Sequence, residues 1–254
     1  MPQQILDLDN RTTSVFIGIT GLLATGKGTV IKLITDLTPP SVIRVLSFSL
    51  SDELRSVITN YMVGGEKQIL LSNSLVERLK EDWSNGKVLR RENQIDTANE
   101  LRKNYGTGVL AQRIIPKILR EVLTESHPYN LVIIDSIRNP GEVLEFRARW
   151  GERFKLIAVE ASEVLADNRI VKRRRDDESE AALDNQEALI KLRQQDSGEG
   201  EPPYGLQVEA CQRMADWHIF NDGSIEELNN TIYHFLNQDV MPLLGLRGYA
   251  AQFQ

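Results

Sequence analysis

The sequence predicts an α/β fold built on a parallel sheet, and three observations support this prediction. Short apolar runs rich in β-branched residues recur along the chain, as is typical of strands buried on both faces. Longer stretches with helical spacing lie between these runs, and strands that alternate with helices form parallel sheets. A glycine-rich turn directly follows the first run. We therefore predict three layers, with helices on both faces of a sheet of about five strands.

Each strand is predicted from an apolar run that is bounded by turn-forming or polar residues. The five runs are residues 15–20, 42–48, 131–135, 154–160 and 217–220. Before the third run, apolar residues recur at every fourth position from Leu110 to Val122, which predicts an amphipathic helix.

Three segments do not fit the simple alternation of strands and helices. Residues 64–105 are long and polar, and we expect a helical insertion between the second and third strands. Residues 166–214 contain KRRRDDESE and the Gly/Pro-rich SGEGEPPYG, for which a mobile hairpin and a helix pair are both open. The tail, residues 240–254, is apolar without a clear period, so it docks either on the domain or on a partner.

Composition excludes several classes of protein. The chain has 254 residues, a net charge of −6 and one cysteine, Cys211, which leaves no disulfide framework and no cysteine-rich zinc site. The acidic balance argues against a broad nucleic-acid-binding surface. The start, MPQQILDLDNRTT, lacks the features of a signal peptide, and no run approaches the roughly 18 apolar residues of a membrane helix. We expect a soluble, cytoplasmic protein without a membrane partner.

The turn after the first strand, GLLATGKGT, matches the phosphate-binding (Walker A) pattern at Gly21, Gly26 and Lys27. Glycines let the backbone approach phosphates, successive amides form an anion nest, and the next helix contributes positive partial charge. Lys27 supplies a cation for the terminal phosphates. The hydroxyl residue that usually follows the lysine is replaced by Gly28, and Thr29 comes one position later.

These features predict a site for ATP, and the alternative is an ordinary glycine-rich turn between a strand and a helix. The residues expected to bind the nucleotide in this loop are Gly21, Ala24, Thr25, Gly26, Lys27, Gly28 and Thr29.

A phosphotransfer enzyme also needs an acceptor site, and bidentate arginines suit an anionic acceptor. Arg55 follows the second strand, three residues after Asp52, and Arg138 follows Asp135 at the end of the third strand. The carboxyl ends of parallel strands share the edge where ligands bind. In the alternative reading, Asp52 only caps a helix with Ser49 and Arg55 is solvated. Asp135 has a purely structural alternative as well.

Several motifs resemble those of P-loop nucleoside monophosphate kinases. The loop G-x-x-x-x-G-K-G-T is similar to that of adenylate kinases, and DELR is similar to their D-x-x-R element. IDSIR, RNPGEVLEFR and ADWHIFNDGSIEEL resemble small dephospho-CoA-kinase-like and adenylate-kinase-like proteins. The chain is also similar to phage deoxynucleoside monophosphate kinases and to the kinase-like half of phage-defence nucleotide deaminases. A deaminase half is excluded here because its H-x-E and P-C-x-x-C zinc signature is absent.

The resemblance covers about residues 15–237 and implies a three-layer P-loop kinase fold with a helical insertion and a lid. On this basis we expect one domain with a core at about 14–238. Its acceptor-binding insertion is expected at about 50–105, its lid at about 174–206 and its tail at 239–254.

The resemblance also implies roles for further residues. Asp135 would hold Mg²⁺ through water. The resemblance also implies that a glycine after the lysine is tolerated, because phosphates and water are the main ligands of the metal. Arg169 and Arg173, four residues apart on a helix that leads into the lid, would stabilise the moving phosphoryl group, and a solvated helix face is the alternative. Together with Lys27 and Arg138, these three residues form the expected catalytic set.

The remaining expected residues lie at the two ends of the bound substrates. Asn221 and Gly223 would border the adenine of ATP. Asn99 and Arg102, on one helical face, either reach the acceptor together with Asp52, Arg55 and Arg138 or lie at the surface.

The function predicted from these features is ATP- and Mg²⁺-dependent phosphotransfer to a ribo- or deoxynucleoside monophosphate, which yields the diphosphate. Two alternatives stay open. One is another small-molecule kinase of the same fold, such as a dephospho-CoA kinase, and the other is a nucleotide-binding sensor or defence component with little turnover. The expected partner is a small nucleotide, and a homodimer stays open.

Overall fold

The computed structural model describes residues 13–65, 68–86, 89–124, 127–174 and 186–247. Its centre is a five-stranded sheet in the order β2-β3-β1-β4-β5, and every neighbouring pair is parallel. The strands are β1 Thr13–Thr20, β2 Arg44–Ser49, β3 Tyr129–Asp135, β4 Phe154–Glu160 and β5 Trp217–Phe220. The predicted five-stranded parallel sheet is confirmed.

Three of the predicted strand starts shift by two residues: β3 begins at Tyr129 rather than Leu131, and the shifts of β2 and β1 have local reasons. β2 begins at Arg44 rather than Val42, because the Val42 and Ile43 amides both donate to the Pro39 carbonyl and close a turn. β1 begins at Thr13, whose amide donates to the Pro128 carbonyl at 2.8 Å beside the start of β3.

Helices connect the strands and cover both faces of the sheet, which confirms the predicted three-layer α/β fold. They are α1 Lys27–Leu37, α2 Leu50–Met62, α3 Asn73–Ser84, α4 Arg91–Tyr105, α5 Val109–Thr124, α6 Pro140–Trp150, α7 Glu163–Arg174, α8 Gln186–Ser197, α9 Val208–Arg213 and α10 Ile225–Phe235.

The side chains of β1 alternate between two apolar clusters, one on each face of the sheet. Phe16 packs in the cluster formed with α2, α4, α5 and α6, and stacks on Trp150 with ring centroids 3.9 Å apart. Val15, Ile17 and Ile19 pack in the opposite cluster with α1 and α10. Burial on both faces explains why the strand reads as an uninterrupted apolar run.

The predicted helical insertion between the second and third strands is present as α2 to α5. Among the described residues of 64–105, α3 and α4 are both helices, as expected. Asp82 of α3 fixes the start of α4, since its carboxylate accepts from the Arg90 amide at 2.9 Å and from Asn93 Nδ2 at 2.7 Å. Burial raises the pKa of Asp82, but the hydrogen bonds from Asn93 and Arg90 outweigh it and lower the pKa overall.

In the region expected to form the lid, residues 186–213 form α8, a turn and α9, so the helix pair is present rather than the hairpin. Asn139 Nδ2 binds the turn by donating to the Pro203 and Gly205 carbonyls, each at 2.9 Å. Residues 175–185, which include Arg175 and the whole acidic part of KRRRDDESE, lie outside the described residues.

The start of the apolar tail docks on the domain itself. Val240, Met241, Leu244 and Leu246 are buried in the cluster that contains β1 and α10. In the part of the chain that the structure describes, no helix has both the length and the apolar character needed to span a membrane.

Candidate functional site

Residues 21–29, which match the phosphate-binding pattern and are called the phosphate loop below, follow the central strand β1. The neighbours of β1, which are β3 and β4, lead to opposite halves of the sheet. This edge is the topological switch point, where ligands bind in open parallel sheets. Gly21 and Gly26 have φ angles of 148° and 96°. A Cβ at Gly21 would lie 2.3 Å from the Val159 carbonyl oxygen, and one at Gly26 would lie 2.0 Å from Asn221 Nδ2. Both positions therefore require glycine.

Lys27 opens α1 and lies against the loop that precedes it. Its ammonium group donates to the carbonyls of Gly21 at 2.6 Å and Leu22 at 2.8 Å. The lysine side chain therefore lies against the backbone at the start of the loop.

Burial and, to a smaller extent, the positive charges of Arg138 and Arg91 lower the pKa of Lys27, which is about 8. The carboxylates of Asp196 and Asp135 act in the opposite direction and offset part of this shift. Four charged side chains, from α4, α8 and the end of β3 with the turn after it, therefore act electrostatically on the Lys27 ammonium group.

The two residues after the lysine are exposed at the start of α1. A Cβ at Gly28 would meet no atom within 4 Å, so the glycine is not required for steric reasons. Thr29 donates its amide to the Gly26 carbonyl at 2.9 Å, as part of the first helical turn. The predicted nucleotide contacts of both residues stay predictions.

The side chains of Arg169 and Asn221 donate hydrogen bonds to backbone carbonyls of the phosphate loop. The Arg169 guanidinium donates to the carbonyls of Asn221 at 2.8 Å, Thr25 at 3.3 Å and Ala24 at 3.4 Å. Asn221 Nδ2 donates to the Thr25 carbonyl at 2.9 Å. In this arrangement both side chains fix the loop backbone, and the predicted contacts of Arg169 with phosphoryl and of Asn221 with adenine stay predictions. Arg173 lies on α7, but its side chain is not part of what the structure describes, so its predicted role stays a prediction.

Gly223 lies in the exposed turn between β5 and α10. Ser224 and Glu227 form the expected capping box, in which each side chain binds the other residue's amide. A Cβ at Gly223 would lie 2.2 Å from Glu227 Oε2, so the capping box leaves no room for a larger residue there.

A cleft of about 300 Å³ opens beside the phosphate loop, between α2, α4 and the turn after β3. It brings together three of the arginines predicted from sequence, Arg55, Arg102 and Arg138, although they are distant in the chain. Asn99 is not among the residues that line it. The lining residues are Leu50, Ser51, Leu54, Arg55, Leu89, Arg90, Arg91, Gln94, Ile95, Ala98, Arg102, Leu110, Ser136, Arg138 and Leu206.

Arg55 and Asp52 contact each other at the rim of the cleft through guanidinium and carboxylate. Both side chains are largely exposed. The Asp52 amide donates to Ser49 Oγ at 3.3 Å, so the predicted helix cap exists together with the ion pair.

Arg102 forms a buried ion pair rather than presenting a free guanidinium to the cleft. Its Nη2 lies 2.8 Å from Glu142 Oε1, and the two side chains are only 2% and 0% exposed. Glu142 Oε2 in turn accepts the amides of Arg138 at 2.8 Å and Asn139 at 3.1 Å. Arg102 thus fixes the turn that carries Arg138. Asn99 Oδ1 accepts only a long 3.5 Å contact from Arg102.

Asp196 of α8 occupies the point where the phosphate loop meets the cleft. Its carboxylate accepts the Leu23 amide at 2.7 Å and the guanidinium groups of Arg91 and Arg138, each at 3.2 Å. The residue is 2% exposed. One carboxylate therefore bridges the phosphate loop and two cleft arginines.

Asp135 ends β3, paired in register with Ser49 of β2. Ser136 Oγ donates to its Oδ2 at 3.3 Å, whereas Oδ1 is buried without a hydrogen-bond partner among the described residues. In the described ranges no three carboxylate, histidine or cysteine side chains form a metal cluster. A single buried carboxylate oxygen fits Mg²⁺ that is held chiefly by phosphates and water.

Sequence reasoning missed three residues of this site: Arg91, Glu142 and Asp196. Glu142 had a local signal, because Asn-Pro-Gly-Glu at 139–142 has the spacing of a capping box with proline at the first helical position. Asp196 had none, since Gln-Gln-Asp-Ser-Gly reads as an ordinary polar helix end.

No protein-family model matches the chain. A UPF0200/UPF0201 protein of Archaeoglobus fulgidus is 34% identical over 151 residues, which are 59% of this chain and 42% of that protein. The chain thus spans less than half the length of this relative. A UPF0200 protein of Sulfurisphaera tokodaii is 27% identical over 222 residues, 87% of this chain and 96% of the relative.

Two solved structures illustrate the structural similarity. The TT1252 protein of Thermus thermophilus aligns with a TM-score of 0.49 and 16% identity over 89% of this chain and 98% of that chain. The APS kinase of Mycobacterium tuberculosis, solved with AMPPNP and APS, aligns with a TM-score of 0.42 and 15% identity over 92% and 99%. Similarity at this level does not assign an activity to the chain.

Proposed function

We propose that the protein transfers a phosphoryl group from ATP to a small acceptor that itself carries a phosphate, with a ribo- or deoxynucleoside monophosphate as the preferred acceptor. One observation carries the proposal. The Asp196 carboxylate accepts both from the Leu23 amide of the phosphate loop and from Arg138 of the cleft, which supports placing the proposed donor and acceptor sites next to each other. Phosphoryl transfer requires this proximity.

The donor side consists of the loop amides, the start of α1 and Lys27. The positive φ angles of Gly21, Ala24 and Gly26 form the turns of the loop, and such turns orient amides toward an anion. Lys27 lies across the loop and would donate to the β- and γ-phosphates of ATP. Arg169 and Asn221 keep the loop backbone in this shape.

The acceptor side is the cleft beside the loop. Its volume of about 300 Å³ suits one small ligand. Arg138 and Arg91 lie at the end nearest the loop and would bind the acceptor phosphate, and Arg55 lies at the rim. Leu50, Leu54 and other apolar side chains form walls against which a nucleoside can pack.

The reaction that this arrangement supports is in-line displacement. An oxygen of the acceptor phosphate attacks the γ-phosphorus of ATP, the bond to the β–γ bridging oxygen breaks, and ADP leaves with that electron pair. No covalent enzyme intermediate is needed, so the residues act by positioning and by neutralising charge. Asp135 would hold Mg²⁺ through its water ligands, and the ion would supply positive charge against the phosphates.

The decisive experiment supplies ATP and Mg²⁺ with a panel of acceptors: ribo- and deoxynucleoside monophosphates, dephospho-CoA and water. We expect a nucleoside diphosphate and ADP in equal amounts from at least one monophosphate. Phosphorylation of dephospho-CoA alone would replace the proposed acceptor. Tight ATP binding without any transfer would contradict the proposal and favour a sensor.

Arg138→Ala tests the acceptor assignment. Removing a guanidinium that binds only the acceptor raises the acceptor's KM by at least about tenfold and changes the KM of ATP much less. The control is Arg213→Ala, which removes an exposed arginine on α9 whose ion-pair partner among the described residues is Glu209 at 3.8 Å. A larger effect on ATP than on the acceptor would place Arg138 on the donor side.

A further inference from the structure

The contacts of Asp196 are those of a bound anion. The carboxylate accepts one backbone amide of the phosphate loop, from Leu23, and one N–H from each of Arg91 and Arg138. The Lys27 ammonium group is near enough to interact with it electrostatically. Backbone amides of a phosphate loop combined with arginines are the donors that bind phosphate in proteins.

We propose that the Leu23 amide, Arg91 and Arg138 form a subsite for one phosphate group of the substrates, and that Asp196 occupies it as an internal competitor that the phosphate displaces. The inference rests on the proposed function, because it names where that reaction's phosphate binds and which side chain must leave first. It adds the Leu23 amide to the two arginines that would bind this phosphate, and it gives α8 a role in binding.

Charge explains why phosphate displaces the carboxylate. Phosphate carries a charge between −1 and −2 near pH 7 and has three acceptor oxygens, whereas Asp196 carries −1 and two oxygens. Three positive side chains and a loop amide therefore bind the phosphate more strongly. Before it binds, Asp196 accepts from the same donors and offsets their positive charge.

Displacement must move α8, since Asp196 lies on its last turn. The helix has a second anchor that does not involve the subsite: Arg193 Nε lies 3.1 Å from Asp167 of α7. Arg193 Nη1 also lies 3.0 Å from Glu163. The helix can thus leave the subsite and stay attached to α7.

The test measures binding of inorganic phosphate by calorimetry to the full chain, at constant ionic strength with chloride as the balancing anion. Asp196→Asn keeps the size of the side chain and removes its charge. We expect this variant to bind phosphate at least about tenfold more tightly than the natural protein, because the internal competitor is weakened. Equal or weaker binding by a folded Asp196→Asn protein would overturn the inference.

Asp216→Asn is the matched control. Asp216 also accepts one backbone amide, from Leu156 at 2.7 Å, and one arginine, Arg147 at 3.1 Å, but it lies at the amino end of β5. This variant should bind phosphate as the natural protein does. An equal gain in both variants would reflect net charge alone and would overturn the subsite.

A measurement without any substitution covers the case in which Asp196→Asn does not fold. Inorganic phosphate added to the natural protein should increase hydrogen exchange in residues 186–197 and decrease it in the phosphate loop. Protection of both segments would show that Asp196 stays in place and would overturn the proposal. The phosphotransfer assay is independent: tighter phosphate binding without transfer would reject only the enzyme activity, and transfer with unchanged phosphate binding would reject only the subsite.

Discussion

At the scale of single residues, the surroundings of Lys27 disfavour the charge that the proposed role of this side chain requires. Its ammonium group is held at the inner side of the loop by the Gly21 and Leu22 carbonyls, in surroundings that lower its pKa to about 8. The lowered pKa means that the charged form is disfavoured by burial and by neighbouring arginines. An anion that binds beside Lys27 reverses this effect, because it favours the charged form.

This coupling predicts a pH dependence of nucleotide binding. Lys27 is protonated below about pH 8 and loses its proton as the pH rises through that value, so ATP affinity should fall between about pH 7 and pH 9. In Lys27→Arg the guanidinium stays charged across this range, and the fall should disappear. Measuring the ATP affinity of the natural protein and of Lys27→Arg at several pH values tests this prediction. An equally steep fall in Lys27→Arg would mean that a group other than Lys27 loses the proton.

Turnover gives a second test of the same residue. Lys27→Ala should slow phosphotransfer at least about a hundredfold, because the contact that is lost strengthens as charge develops in the transition state. The fold should persist, since the side chain interacts with the loop rather than with either apolar cluster. Near-normal turnover by the folded variant would exclude Lys27 from the donor site.

At the scale of secondary-structure elements, the cleft is held by the buried pair of Arg102 on α4 and Glu142 on α6. The pair connects the insertion to the sheet, since Glu142 also caps α6 and binds the Arg138 amide. A buried ion pair contributes little net stability when intact, but removal of one partner leaves an uncompensated buried charge.

We therefore predict that Arg102→Ala lowers the free energy of unfolding by about 3–5 kcal/mol. Urea denaturation measures the change. Arg213→Ala, at an exposed pair on α9, should stay within about 0.5 kcal/mol of the natural protein. A loss below about 1 kcal/mol for Arg102→Ala would mean that α4 is not anchored through this pair.

At the scale of the whole molecule, the sheet separates two apolar clusters with different tasks. One joins the sheet to α2, α4, α5 and α6, of which α2, α4 and α5 line the cleft. The other joins the sheet to α1, α10 and the start of the tail. The phosphate loop leaves β1 between them. The start of the tail therefore packs on the same face of the sheet as α1.

Leu244→Ala tests whether the tail is part of the core. Leu244 is 1% exposed and packs in the cluster of β1 and α10. Its truncation should lower the free energy of unfolding by about 2–5 kcal/mol, measured by urea denaturation. Leu144→Ala, at a side chain that is 58% exposed on α6, should change it by no more than about 0.5 kcal/mol. Equal effects would contradict a docked tail.

The sequence by itself determined the features that depend on neighbouring residues. The glycines of the phosphate loop, the lysine after them and the five apolar runs each express a local requirement of the backbone or a buried strand. Once the strands are parallel, their carboxyl ends meet, so Arg55 and Arg138 were predicted to share one site, and both line the same cleft.

Only the tertiary structure decided which partners the charged side chains have. Asp196 meets the Leu23 amide across 173 residues of sequence, Arg102 meets Glu142 across 40, and Arg169 meets the Ala24 carbonyl across 145. A backbone turn or a buried strand is selected by its own residues, and local patterns therefore reveal it. An ion pair is selected by distance in the folded chain, where the desolvation of each charge depends on every segment that packs around it.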